Sequence, residues 1–332
     1  MRASLLLCLV VVTVPVAAQD NTDGRTFEQF LVELRAEALQ RGISAATVDK
    51  ALANVEPLPV VLERDRGQAE HIQPIDRYLK GKLTPAMVRM ARRMATTHGA
   101  VLRRVSAKYE VPPGIVLAVW GIESNFGRFS GVRPTIQALA TLAFDNRRAA
   151  LFRSELFYAL QILDRGDIEL DRLKGSWAGA MGQPQFLPSS YLQYAVDFDE
   201  DGRPDIWRSH ADVFASIANY LQGRGWSAGE RWGREVKVTP AAARRIADEI
   251  PMRREGCRAV REMTEPLPLT RWRALGVASV GGGRLPAAEL NASLVDAGKR
   301  KFLVYRNYHA LLEYNCAHAY ALSVALLGDR IP

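Results

Sequence analysis

The chain has 332 residues, of which 48% are hydrophobic and 24% charged, so it is neither disordered nor fibrous and can bury one large core or two to three small ones. A formal charge of +8 suits an anionic partner. The basic residues are scattered rather than gathered in one block, which favours a cell-envelope polymer or a membrane surface over nucleic acid.

The first eighteen residues read as a secretory signal. Arg2 gives a short positive start, Leu5 to Val14 form an apolar run, and Val16-Ala17-Ala18 is a small-residue cleavage site. The run is too short for a membrane span, and no later stretch approaches the roughly 20 apolar residues that spanning requires. Cys8 lies inside this run, well before the cleavage site, and is not read as a lipid-anchored cysteine. The expectation is an exported, periplasmic monomer, soluble after cleavage near Ala18. Loss of Arg2 leaves 43 basic against 36 acidic side chains, about +7, and reduces three cysteines to Cys257 and Cys316. In an oxidising compartment these form either a disulfide or two buried thiols.

Thr26 and Gln29 make a capping box for a helix ending near Gly42, and Ser44 starts a shorter one. Residues 56 to 83 hold several prolines and few periodic apolar positions, which predicts an extended arm. Thr84-Pro85 then launches a long helix through Met87, Met90 and Met94, read as core packing rather than a ligand stripe. Helices are predicted over Thr135 to Phe144 and Arg147 to Arg165. Residues 175 to 190, GSWAGAMGQPQFLPSS, form an unusually apolar loop, read either as the lining of a groove or as a packed turn. Beyond Trp226 the sequence changes to short β-prone runs such as Glu235 to Thr239, a helix capped by Thr239-Pro240, and Gly281-Gly282-Gly283, which together predict a small α+β module. A single amphipathic helix from about Ala310 to Leu327 closes the chain.

Two stretches carry chemistry. In GIVLAVWGIESNFGRFSG, nine uncharged, mostly apolar residues run into Glu123, after which glycine turns follow. Desolvation and the negative end of the helix dipole both oppose ionisation there, so the carboxyl pKa is expected to rise toward that of a working proton donor. The alternative is a glutamate that only marks where a core helix meets solvent. In DFDEDGRPD, Asp197, Asp199, Asp201 and Gly202 reproduce the start of an EF-hand loop. The twelfth position is Arg208 instead of glutamate, so the expected ligand set for a structural Ca2+ is Asp197, Asp199, Asp201, the Arg203 carbonyl and Asp212. An acidic solvated turn is the alternative.

Other chemistries lack support. The five histidines, His71, His98, His210, His309 and His318, are dispersed without a metal spacing. The glycine run at 281 to 283 lacks the helix and lysine of a phosphate loop, and there is no GxSxG elbow.

With Glu123, the apolar loop and the acidic loop together, the chain resembles the B-type lytic murein transglycosylases. The resemblance rests on GIESNFGRFSG, ALATLAFDNRRAALFRSEL, GSWAGAMGQPQFLPSSYLQYAVDFDEDGRPDIW, SIANYL and YRNYHALLEYNCAHAYALSVALLGDR, in that order. It implies a mainly α (α+β) fold with a lysozyme-like helical core over residues 106–226 plus 305–332. A helical N-terminal region over 19–105 and a small β-containing module over 227–304 complete it. It further implies Glu123 as the single catalytic acid and base, and Ser176, Met181, Gln185, Phe186, Tyr220, Tyr308 and Tyr314 as the lining of a substrate cleft. Trp177 stands where the family often has tyrosine, and Gln183-Pro184 replaces a more usual pair. The implied reaction is non-hydrolytic cleavage of the β-1,4 bond between MurNAc and GlcNAc in peptidoglycan glycan strands, giving 1,6-anhydroMurNAc ends, with no organic cofactor. A hydrolytic muramidase and a non-catalytic, calcium-stabilised peptidoglycan-binding protein are the alternatives.

Overall fold

The computed structural model describes residues 24–67, 73–281, 283–286 and 290–331. The expected signal, with Cys8, and His71 lie outside them. The capping box forms as predicted: Thr26 N–H donates to Gln29 Oε1 and Gln29 N–H to Thr26 Oγ1, starting α1 (Phe27–Gln40). Phe30, Leu34 and Ala38, spaced by four, form its buried stripe. Ser44 caps α2 (Ala45–Leu52).

The expected extended arm is instead two helices, α3 (Pro59–Gly67) and α4 (Ile75–Lys82). Proline breaks a helix interior, but Pro59 is the first residue of α3 and Pro74 immediately precedes α4. At a helix start the missing N–H costs nothing and the fixed φ is already helical. Next come α5 (Pro85–Thr97), capped by Thr84, and α6 (Gly99–Tyr109). Met87, Met90 and Met94 pack against the main core.

At the centre of that core is α7 (Pro113–Ser124), whose residues from Gly114 to Ile122 are all buried. Around it follow β1 (Arg133–Pro134), α8 (Thr135–Phe144), α9 (Ala149–Asp164), β2 (Lys174–Gly175), α10 (Pro188–Tyr194) and α11 (His210–Gly223). The β-containing segment comprises β3 (Gly233–Lys237), α12 (Pro240–Glu249), α13 (Arg258–Arg261), β4 (Leu267–Pro268), α14 (Leu269–Ala274), β5 (Ala278–Ser279), β6 (Asn291–Ala297) and β7 (Arg300–Val304). Its five strands form one antiparallel sheet in the order β4-β6-β7-β3-β5.

The single closing helix expected from the sequence is two, α15 (Arg306–Tyr314) and α16 (His318–Gly328). The break holds Cys316, which is disulfide-bonded to Cys257, the residue just before α13, with Cα atoms 6.3 Å apart. The cross-link ties the sheet-bearing segment to the core where the helix is interrupted. Helix α16 lies directly against α7. A Cβ on Gly114 would stand 2.7 Å from the Gly328 carbonyl oxygen, so only glycine allows this approach.

Three apolar clusters result. One surrounds α7 with α6, α11, α15 and α16, a second joins α1, α2 and α3 to α8, α9 and α10, and a third lies between the sheet and α12 and α14. The fold is mainly α with a β-containing insert, as expected.

The disulfide closes a loop of 59 residues, for which the chain-entropy relation gives at most about 4 kcal/mol of stabilisation. Cys257→Ser with Cys316→Ser should lower the unfolding free energy by about 2–4 kcal/mol in denaturant titration.

Candidate active site

Glu123 is the penultimate residue of α7. The helix ends because Asn125, Phe126 and Gly127 all take positive φ, at 51°, 59° and 75°. Ser124 secures the turn, its Oγ donating to the Trp120 carbonyl and accepting the Gly127 N–H. The chain reverses sharply and leaves the Glu123 side chain at the edge of an apolar helix, half-buried.

Burial pushes the Glu123 pKa up to about 7, against opposing pulls from the Tyr320 hydroxyl and Lys82. Tyr320 is buried, and its hydroxyl has no partner of full hydrogen-bond geometry. It reaches the Glu123 carboxyl only closely enough to perturb it. Tyr78 and Tyr314 also feel the charge on Glu123, and burial raises the pKa of both. Thus α4 supplies Tyr78 and Lys82, four residues apart, while α15 and α16 supply Tyr314 and Tyr320.

A run of rings leads away from the carboxyl. Tyr320 stacks on Tyr314 at 6.2 Å, Tyr314 meets Tyr220 at 4.7 Å, and Tyr220 meets Phe186 at 5.5 Å. Their hydroxyls fasten the wall, Tyr314 donating to the Pro184 carbonyl at 2.7 Å and Tyr220 to that of Glu313 at 2.7 Å.

The apolar loop closes on itself. Met181 and Phe186 exchange both backbone hydrogen bonds, at 2.7 and 3.0 Å. Ser176 Oγ accepts the N–H groups of Ala178 and Ala180. Gln185, with φ of 54°, donates its amide to the carbonyls of Ser130 and Gly182. A Cβ on Gly131 would fall 2.0 Å from the Gly175 carbonyl carbon, so β1 and β2 can pair beside the loop only with glycine there.

Of the expected lining residues, Phe186, Tyr220 and Tyr314 gather on one wall, and Ser176, Met181 and Gln185 shape the loop beside it. Tyr308 lies elsewhere. It is wholly buried, its hydroxyl bonded to His318 Nδ1 at 3.0 Å and its ring between His318 and Trp232.

Sequence reasoning missed four residues of this region. Tyr78 and Lys82 lie in the segment expected to be an extended arm, and Tyr320 lies within the expected closing helix, where nothing local sets it apart. Gln183 was noted as a departure from a family pattern, yet it is a buried junction. Its Oε1 accepts the Trp120 indole N–H at 2.7 Å, its Nε2 donates to the Trp207 carbonyl at 2.9 Å, and its N–H donates to the Ile206 carbonyl at 2.9 Å.

The acidic loop bends around Asp212, which is fully buried. Its carboxylate accepts the N–H groups of Phe198, Asp199 and Asp205. Oxygens of Asp197, Asp199 and Asp212 lie within 4.8 Å of one another, a separation matching ligands about 2.4 Å from a shared hard cation. Asp201 stands apart, exposed and accepting the Arg203 N–H. The oxygen-only donor set fits Ca2+, and three converging carboxylates repel each other unless a cation joins them.

Residues 26–329 match the family model described as transglycosylase SLT domain. The chain belongs to this family. It is 42% identical over 157 residues to membrane-bound lytic murein transglycosylase B of Escherichia coli K12, a segment covering 47% of this chain and 43% of that protein. SltB3 of Pseudomonas aeruginosa, solved with NAG-anhNAM-pentapeptide, superposes with a TM-score of 0.82 at 42% identity, over 92% of this chain and 79% of that one. The Escherichia coli lytic transglycosylase SLT35, solved with calcium, gives 0.75 at 28% identity, over 94% and 93%. These likenesses identify the B-type lytic transglycosylases as the relatives. No helix among the described residues is long and apolar enough to cross a membrane.

Two predictions follow from the geometry. Gln183→Leu leaves the Trp120 indole N–H and the Trp207 carbonyl buried without partners, and should cost about 2–3 kcal/mol in chemical unfolding. Tyr320→Phe removes a group that favours the carboxylate, so the Glu123 pKa, followed by carboxyl-resolved NMR, should rise above its wild-type value of about 7.

Proposed function

We propose that this chain is a lytic transglycosylase that cleaves the β-1,4 MurNAc-GlcNAc bond of peptidoglycan with Glu123 as its acid and base. The observation that carries the reading is a carboxyl held by burial at a pKa of about 7, at the end of a helix whose other residues from Gly114 to Ile122 are buried. At neutral pH such a group is divided between its two forms, so it can give a proton and later take one back.

The steps follow from that poise. Protonated Glu123 gives its proton to the glycosidic oxygen as the C1–O bond breaks. The carbonyl oxygen of the sugar's own 2-acetamido group bonds to C1 and balances the developing positive charge. Glu123, now a carboxylate, removes the proton from the C6 hydroxyl, and that oxygen displaces the acetamide from C1 to leave a 1,6-anhydro end. Hydrolytic glycosidases commonly use two carboxyl groups about 5 to 9.5 Å apart. The likeness to the lytic transglycosylases favours the non-hydrolytic course over that arrangement. Tyr314, half-buried, offers a ring face for sugar stacking, backed by the buried rings of Tyr220 and Phe186, and Ser176 and Gln185 offer polar edges.

Asp197, Asp199 and Asp212 are the residues that would hold Ca2+, which would supply the positive charge to offset their converging carboxylates. Export to the periplasm follows from the reading of residues 1 to 18, because the substrate lies there.

Glu123→Gln should reduce release of soluble fragments from purified sacculi by several orders of magnitude. Wild-type products should have anhydro ends, whereas products heavier by one water would assign a muramidase. The protonated form is the donor, so kcat/KM should fall as pH rises through about 7. Stability provides an independent check. A carboxyl whose pKa is raised on folding binds its proton more tightly in the native state, so it lowers stability as pH rises from its unfolded value to about 7, and by a constant amount above that. Glu123→Gln should therefore stabilise the protein by up to about 3 kcal/mol at pH 8 and by little at pH 4.

A further inference from the structure

Helix α4 has a second charged side. Beside the face that carries Tyr78 and Lys82 lies a cavity of about 830 Å³, walled by Asp76, Arg77 and Lys80 from α4, Lys299 from the β6–β7 turn, Arg300 at the start of β7, and Arg330 after α16. Asp76 is the one carboxylate in its lining, and its Oδ2 is already occupied by the Lys299 N–H at 3.1 Å. Arg300 is held by both oxygens of Glu235. Arg77, Lys80, Lys299 and Arg330 are exposed, and no carboxylate among the described residues pairs with their side chains. Four exposed cations against the single carboxylate of Asp76 leave this concave surface net positive, an electrostatic site for an anion carrying more than one charge.

We propose that this cavity binds the carboxylates of the peptide stem attached to the glycan strand at Glu123, a reading that rests on the proposed function. A stem joined to the lactyl group through its own N-terminus keeps its C-terminal carboxylate free, together with that of any acidic side chain. The cavity and the catalytic carboxyl lie on two faces of the same helix. A helix with its side chains is roughly 10–12 Å across. Five extended residues reach about 17 Å, so a pentapeptide leaving the cleft can pass over α4 and place its terminal carboxylate among Arg77, Lys80, Lys299 and Arg330. A denuded glycan has nothing to put there.

The test compares wild type with the variant Arg77→Gln, Lys80→Gln, Lys299→Gln on peptide-bearing glycan and on glycan stripped of stems. All three side chains are exposed, and an unchanged melting temperature checks that folding is retained. Exposed ion pairs are individually weak, so losing three together should raise KM for the peptide-bearing strand by roughly tenfold, with kcat and the kinetics on stripped glycan unchanged. Equal effects on both substrates, or none on either, would overturn the assignment. Calorimetric titration with N-acetylated pentapeptide gives a readout that needs no cleavage. Wild type should bind it more tightly than the variant and more tightly than it binds the C-terminally amidated peptide; no such preference counts against the site. Retention on anionic lipid vesicles through the same three cations, without discrimination between free-acid and amidated peptides, would assign the cavity to a membrane surface instead. If wild type fails to cut even stripped glycan, the catalytic reading fails and the peptide titration still decides the cavity.

Discussion

The rest of the molecule depends on keeping one ionisable group partly shielded from water. A carboxyl beside an all-apolar helix costs free energy whenever it is charged, and the cost grows with the quality of the enclosure. The enclosure comes from four places: the tight reversal after Ser124, helix α4 above, the α15–α16 pair beside it, and the ring wall that ends at Phe186. Lys82 and the Tyr320 hydroxyl moderate the burial and keep the group titratable near neutrality instead of permanently protonated. The proposed acid and base roles of one residue need that balance, since a pKa far from 7 on either side would leave one of the two proton transfers starved of the required form.

Two devices hold the wall in register. The break between α15 and α16 would otherwise be a weak point, because Tyr314 and Tyr320 flank it. The disulfide from Cys316 to Cys257 anchors that break to the sheet-bearing segment. Tyr314 then donates to the Pro184 carbonyl, so the helical wall and the apolar loop move together. The loop is itself overdetermined by the Met181–Phe186 pair, the Ser176 turn and the Gln185 bridge to Ser130.

Much of this was legible in sequence, and the failures have physical causes. Thr26, Ser44, Thr84 and Thr239 each cap the helix predicted after them, because N-cap chemistry is local and independent of tertiary context. Pro59 and Pro74 do not reveal the helices they open, because proline breaks a helix interior but suits a helix start, and composition alone does not say which position it holds. The break at Cys316 was hidden by an apolar pattern continuing on both sides of it. Glu123 announced itself through nine apolar neighbours, whereas Tyr78, Lys82 and Tyr320 reach it across long sequence separations that no local pattern encodes. Tyr308 shows the converse. A residue in the right motif can be spent entirely on a buried histidine.

Gln183 explains how an acidic loop and a protonated carboxyl coexist in one small core. The convergent carboxylates of Asp197, Asp199 and Asp212 would raise the Glu123 pKa further if they shared its surroundings, while a cation among them would lower it. Position must therefore pass between the two regions without charge. An amide side chain suits this, accepting from the Trp120 indole on α7 and donating to the Trp207 carbonyl beyond the acidic turn. Glutamate at that position would offer no donor to Trp207 and would bury a charge between the loop and the helix; leucine would leave both partners unsatisfied. The neutral hydrogen-bonded bridge couples the shape of the acidic loop to the placement of α7 while leaving the electrostatics of Glu123 to its own ring of tyrosines and Lys82.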